Sequence, residues 1–204
     1  MAVVIALLAT LLLTALGVSI ALLGIEESML SLHERTSRAL RNAASAGAQL
    51  ALADLRLAPS WDPLLAAGAV PPLSAVPGRF LDSTVTPQAP WSGAPLDLAA
   101  ATAALQAATA ASRGAADAVQ TWRLYLSGPL TRAAPSAGTD PWYIAVWIAD
   151  DKADIDGDPT ADSNGLLSVH AAAYGPGDAV VSLDLTVRRL PSGGVAVATS
   201  RPGR

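Results

Sequence analysis

Residues Met1 to Ile25 contain no charged side chain, and only Thr10, Thr14, Gly17, Ser19 and Gly24 among them are not hydrophobic. As a helix this run is about 37 Å long, enough to cross a hydrocarbon core of about 30 Å. A cleaved signal peptide has a basic start, a shorter apolar stretch and a small-residue cleavage site. Here no Lys or Arg precedes the run, and Glu26 and Glu27 follow it directly. The segment therefore reads as an uncleaved membrane helix that lacks the usual basic cytoplasmic flank. The chain is 51% hydrophobic; without these 25 residues, 20 of them hydrophobic, about 84 of the remaining 179 are hydrophobic, an ordinary value for a soluble protein.

Helical character continues past the apolar stop. Between Glu26 and Leu57 there is no proline, and the only glycine is Gly47. Leu32, Arg35, Ala39, Ala43, Ala46, Leu50 and Ala53 recur at three- and four-residue steps, with Ala44, Ala48, Ala51 and Leu55 widening the stripe. Segments 1–25 and 26–57 thus predict a membrane half and an amphipathic half of one helix. A coiled coil would place leucine at the seam, whereas an alanine seam suits close packing against a sheet.

From Pro59 to Pro95 lie eight of the fifteen prolines, which exclude a continuous helix. Segment 58–120 reads as a proline-rich loop anchored by Trp61, Leu64, Phe80 and Trp91, followed by a short helix from Leu96 or Asp97 to about Ser112. Segment 121–204 changes period. TWRLYL, YIAVWIA, LLSVHAAAY and VVSLDLTVRR are strand-like runs, and Val181, Leu183, Leu185 and Val187 alternate with polar neighbours as in a half-buried antiparallel strand. Tyr174-Gly175-Pro176-Gly177-Asp178 and Ser192-Gly193-Gly194 read as turns between strands. The predicted class is α+β, a long N-terminal helix packed on a C-terminal antiparallel sheet.

Net charge is −4, of which the acidic loop contributes −5, so the remainder sums to +1 and offers no basic nucleic-acid surface. That loop, 150–165, carries Asp150, Asp151, Asp154, Asp156, Asp158, Asp162 and Asn164, all hard oxygen donors of the kind Ca²⁺ requires. It does not fit an EF-hand: counted from Asp154, Pro159 occupies the glycine slot and Gly165 the place of the terminal glutamate. Two readings stay open, a looser Ca²⁺ site and a solvated acidic loop whose Asp and Asn side chains form turns with their own backbone. Ca²⁺ is the one cofactor the residues suggest.

Catalytic signatures are poor. With no cysteine there is no thiol nucleophile, and neither His33 nor His170 accompanies a G-x-S-x-G turn. Ser192-Gly193-Gly194 is too short for a phosphate loop. The five tryptophans, Trp61, Trp91, Trp122, Trp142 and Trp147, admit an adhesive or carbohydrate-binding patch but suit a core better. No enzymatic activity is expected.

An apolar helix running into an amphipathic one ahead of an antiparallel sheet resembles a type IV pilin. The segment AVVIALLATLLLTALG, then GIEESML, then RALRNAASAGAQLALADLR is similar to minor pilins of the PilX N-terminal type. YIAVWIADDKADIDGDPTADSN with VHAAAYGPGDAVVSLDLTVRR resembles the strand, acidic loop and YGPG hairpin of pilus-assembly proteins of that type. The resemblance implies that Met1 is the processed, N-methylated first residue, although it can equally be an initiator. It implies that Ala9, Ala15, Gly17, Ala21 and Gly24 pack in a filament core, with the helix bending at the two glycines. Its implied partners are other pilin subunits, the assembly machinery and, before assembly, the inner membrane, with an extracellular pilus or periplasmic pseudopilus as destination. Major pilins resemble FTLIE at the mature start; this chain has Ile5 where they carry glutamate, which resembles minor, tip or K-type pseudopilin subunits. The alternatives are a signal-anchored periplasmic or extracellular binding or sensor domain that does not polymerise and, third, an anchored hydrolase needing a metal at Asp154, Asp156 and Asp158.

Overall fold

The computed structural model describes residues 1–66, 86–111, 120–133, 142–154 and 156–203, without the side chains of Ala9 and Ile25. Its elements are α1 (Ala2–Leu55), α2 (Asp62–Leu65), α3 (Leu98–Ala111), β1 (Arg123–Pro129), α4 (Leu130–Ala133), β2 (Tyr143–Asp150), β3 (Leu166–Tyr174), β4 (Val180–Arg189) and β5 (Val195–Pro202). The class is α+β. The chain divides into two compact units, Met1–Ala39 and Leu40–Arg204.

The first unit is helix alone. Every described side chain from Met1 to Arg35 is exposed, and α1 is unbroken through Gly17 and Gly24. It contains an 18-residue window of mean hydropathy 2.6, none of it buried, which is long and apolar enough to cross a membrane or to act as a signal sequence. Within the apolar run the hydroxyls return to the helix: Thr10 donates to the carbonyls of Ala6 and Leu7, Thr14 to those of Thr10 and Leu11, and Ser19 to that of Ala15. No side-chain donor in that stretch then depends on water.

The second unit is a five-stranded antiparallel meander, β1-β2-β3-β4-β5. The remainder of α1 packs on one face through Leu40, Ala43, Ala44, Ala48, Ala51, Leu52 and Leu55, against Ile144, Val146, Ile148, Val169, Ala171 and Val187. Gly47 lies tightly against this face, since a Cβ there would lie 3.3 Å from both Ile144 Cδ1 and Val146 Cγ2. The expected stripe holds in part: Ala43, Ala44, Ala48, Ala51 and Leu55 are buried as expected, whereas Leu32 and Arg35 are exposed. Ala53 is exposed, Ala46 and Leu50 are half-buried, and the row through Ala44, Ala48, Ala51 and Leu55 is the true centre. Gly47 faces the sheet between these residues although, having no side chain, it adds nothing to an apolar count.

The opposite face is covered as well. Tyr143, Ala145, Trp147 and Ala172 pack with Leu98 of α3, joined by Leu105, Trp91, Trp122 and Tyr174. All eight residues of β2 are buried, so YIAVWIAD is a two-sided core strand between a helix on each face. α3 starts where expected: Asp97 Oδ1 accepts the Ala100 amide at 2.8 Å, an N-terminal cap. Its hydroxyls pin the tryptophans below, with Trp147 Nε1 donating to Thr102 at 2.7 Å and Trp122 Nε1 to Thr109 at 2.8 Å. All five tryptophans pack into or against the core. Phe80 lies outside the described residues. The hairpin turn after β3 closes with Gly175 N–H donating to Ala179 at 2.8 Å, and Gly177 and Asp178 both adopt positive φ. Beyond the expected runs, β5 forms a fifth strand on the far side of the Ser192-Gly193-Gly194 turn.

Candidate metal centre

The acidic loop leaves the buried end of β2, and this placement decides the environment of each carboxylate. Asp150, Asp151 and Asp154 are buried, while Asp156 and Asp158 are exposed and Asp162 is intermediate. One oxygen from each of Asp150, Asp151 and Asp154 lies within 4.8 Å of the others, a spread that oxygens on a common Ca²⁺ at about 2.3–2.6 Å would occupy. A small cavity, with room for about one water-sized occupant, is lined by these three, Gln120, Gly157, Asp158 and Pro159. Gln120, itself buried, donates from Nε2 to the Asp150 carbonyl at 2.7 Å and fixes that wall.

The rest of the loop is a run of side-chain-to-backbone turns. The amides of Ala153, Asp156, Asp158 and Thr160 donate to the carboxylates of Asp151, Asp154, Asp156 and Asp158, each two residues earlier. Asp162 Oδ1 caps the loop exit by accepting the amides of Gly165 at 2.7 Å and Leu166 at 3.2 Å. Asn164 donates to Asp151 at 2.7 Å, and Ser163 donates to Asp154 through both its amide and hydroxyl. Such turns are what Asp and Asn favour between strands.

Of the seven candidate ligands, the structure gathers Asp150, Asp151 and Asp154, with Asp158 on the cavity wall. Asp162 Oδ1 and Asn164 Oδ1 accept backbone amides, as does Asp156 Oδ1 in solvent, and the Asp150, Asp151 and Asp154 carboxylates likewise accept from loop donors. Three carboxylates begin a Ca²⁺ shell of six to eight oxygens without completing it. The loop is also less solvated than expected, because its first three acids lie under it rather than on it.

Burial pushes Asp150 up to about 7; the Asp151 amide opposes the rise, and Asp154, Asp151 and Asp162 add to it. Burial also raises Asp162, against the pull of the Gly165 and Leu166 amides and with repulsion from Asp62 and Asp154. Hydrogen bonds from the Thr160 hydroxyl and amide hold exposed Asp158 below the usual range.

Asp62, in α2, is a member that the sequence did not reveal. Its Oδ1 accepts the Asp162 amide at 2.9 Å, although the two residues are a hundred positions apart. Arg189 brings α2 to that place: it stacks over Trp61 at 4.4 Å and donates to the carbonyls of Ala58 and Pro59 at 3.2 and 2.8 Å. Without strand register, no sequence signal links Asp62 to the loop.

A second polar cluster lies beneath α3. Cross-strand neighbours Trp147, His170, Asp184 and Arg201 form one row over β2 to β5. His170 Nδ1 lies 2.6 Å from Asp184 Oδ1, and its ring meets Trp147 and Trp122 at 5.6 and 6.0 Å. In the acidic loop the Ser163 and Thr160 hydroxyls donate to the carboxylates of Asp154 and Asp158. His33 is exposed on α1. Compared with protein-family models, with curated proteins and with solved structures, the chain matches none.

Proposed function

We propose that the chain is a structural subunit of a type IV pilus or related filament, held in the inner membrane by residues 1–25 and then assembled through its N-terminal helix. The observation that carries this reading is one helix of two characters. Its first 25 residues are apolar and exposed at every described side chain, while its last four turns bury one face on an antiparallel sheet. An apolar surface of this size needs lipid or other protein around it, and a subunit passing from membrane to filament core uses both. Ile5, where major pilins carry glutamate, supports a minor or pilus-assembly position. Partners are other pilin subunits and the assembly machinery.

The test is to shear filaments from cells and follow the chain by immunoblot and immunogold labelling. Recovery along sheared filaments is expected. The chain confined to detergent-soluble membranes would instead favour the signal-anchored binding or sensor domain, a reading to which the cavity under the acidic loop lends a site of its own.

A further inference from the structure

Asn164 is one of two asparagines in the chain and the only one followed by glycine. Such a pair is chemically labile, because the unhindered glycine nitrogen can close a five-membered ring on the asparagine side-chain carbonyl carbon. Ring closure is helped by a base on the attacking N–H, a donor on the carbonyl oxygen and a partner for the departing nitrogen. The exit of the acidic loop supplies all three. Asp162 Oδ1 accepts the Gly165 amide at 2.7 Å, within the reach of about 2.6–3.2 Å required of a general base. The Leu166 amide donates to Asn164 Oδ1 at 2.8 Å, where negative charge develops as the ring closes. Asn164 Nδ2 donates to Asp151 Oδ1 at 2.7 Å. These partners fix the orientation of the side-chain amide, since the flipped form would set donor against donor at Leu166 and acceptor against acceptor at Asp151. Asn164 is exposed, so water reaches it. The strands hold the frame still, with the Arg189 amide donating to the Gly165 carbonyl at 2.8 Å.

We propose that Asn164 is a self-modification site, at which the Gly165 nitrogen closes on the Asn164 side chain with Asp162 as base and the residue becomes aspartate or isoaspartate. The Gly165 N–H proton passes to Asp162 Oδ1 as the nitrogen bonds to Asn164 Cγ. The Cγ–Nδ2 bond then breaks, and the amide nitrogen takes up that proton and leaves as ammonia. Water opens the imide at either carbonyl, so the net change is an amide and water giving a carboxylic acid and ammonia.

The other candidates lack this arrangement. Asn42 precedes Ala43 inside α1, where the following amide is committed to the helix. Asp156 precedes Gly157, but a carboxylate is a poor electrophile and has no amine to expel. The product at 164 sets a carboxylate where an amide donated to Asp151, and the two like charges repel. The loop thus loses its tie to Asp151 irreversibly, at a rate set by its own residues. This holds whether or not the chain polymerises.

The test follows full-length chain in detergent at neutral pH through its tryptic peptide 153–188, in which Asn164 is the only side-chain amide. Mass spectrometry reads the gain in mass as amide becomes carboxyl, and chromatography separates the aspartate and isoaspartate forms. Conversion is expected to be at least about tenfold faster in the folded chain than in the same chain unfolded in urea. Asp162→Ala is expected to bring the folded rate down to the unfolded one. A folded rate equal to or below the unfolded rate would overturn the proposal, as would a rate in Asp162→Ala at or above that of the unmodified chain. Hydrogen bonds that merely restrain the amide protect it, and their loss would release it.

Discussion

Gly47 offers the sharpest test of how α1 sits on the sheet. A Cβ at this position would stand 3.3 Å from both Ile144 Cδ1 and Val146 Cγ2, tighter than ordinary contact. Gly47→Ala sets two effects against each other. Alanine favours the helix by about 1 kcal/mol, and the crowding costs a similar amount, so the net change is expected within about 0.5 kcal/mol. Gly47→Leu adds three further carbons where the sheet leaves no room. Overpacking of about 3 kcal/mol, less about 1 kcal/mol from helix propensity, leaves a loss of about 2 kcal/mol. Ala53→Leu, six residues on and exposed, should change stability by less than about 0.5 kcal/mol. The assay is urea unfolding of the full chain in detergent, followed through the fluorescence of buried Trp61 and Trp147. With a slope of about 2 kcal/mol per molar urea, Gly47→Leu should move the midpoint down by about 1 M. Equal midpoints for Gly47→Leu and Ala53→Leu would refute the seating of α1 on Ile144 and Val146.

Three further outcomes follow from the same geometry. Tyr125 donates to the fully buried Asp54 carboxylate, so Tyr125→Phe should cost about 2 kcal/mol in the same urea assay; no change in midpoint would show that the bond is not stabilising. Asp150, raised from 3.8 to about 7, keeps its proton in the folded chain after the unfolded chain has lost it. Its contribution to stability is therefore full below the unfolded value and is lost as pH rises through about 7. After allowance for screening by water at an open loop, that loss is about 1–2 kcal/mol. Asp150→Asn should accordingly be the more stable form at pH 8 in EDTA and show a flatter pH profile, and parallel profiles would contradict this. Under the filament reading, Trp in place of Ala9, Ala15 or Ala21 should lower sheared-filament yield while membrane insertion, read by carbonate extraction, is unchanged; undiminished yield would count against core packing at these positions.

Local chemistry was the legible part of this chain. The Asp97 cap, the acidic loop's side-chain turns, the hairpin at Gly175–Asp178 and the continuous helix through Leu55 all depend on residues a few positions apart, where propensity and spacing decide the outcome. What was not legible needed the tertiary register. Burial of β2 on both faces was signalled only by its unbroken apolar run, which alone does not say what covers the second face. Gly47 faces the sheet without marking the apolar pattern, and Asp54 enters the core opposite Tyr125. At the site, three adjacent acids were buried because β2 ends beneath its own loop. Asp62 joined them through Arg189 and Trp61, contacts separated by more than a hundred residues.

In the proposed account residues 1–25 leave the membrane and enter a filament. This step is tested most directly by mass spectrometry of the N-terminal peptide in sheared extracellular material. An N-methylated Met1 in that fraction is the expected result. An unmodified or extended N-terminus, found only in membranes, would contradict the filament account and leave an anchored domain in its place.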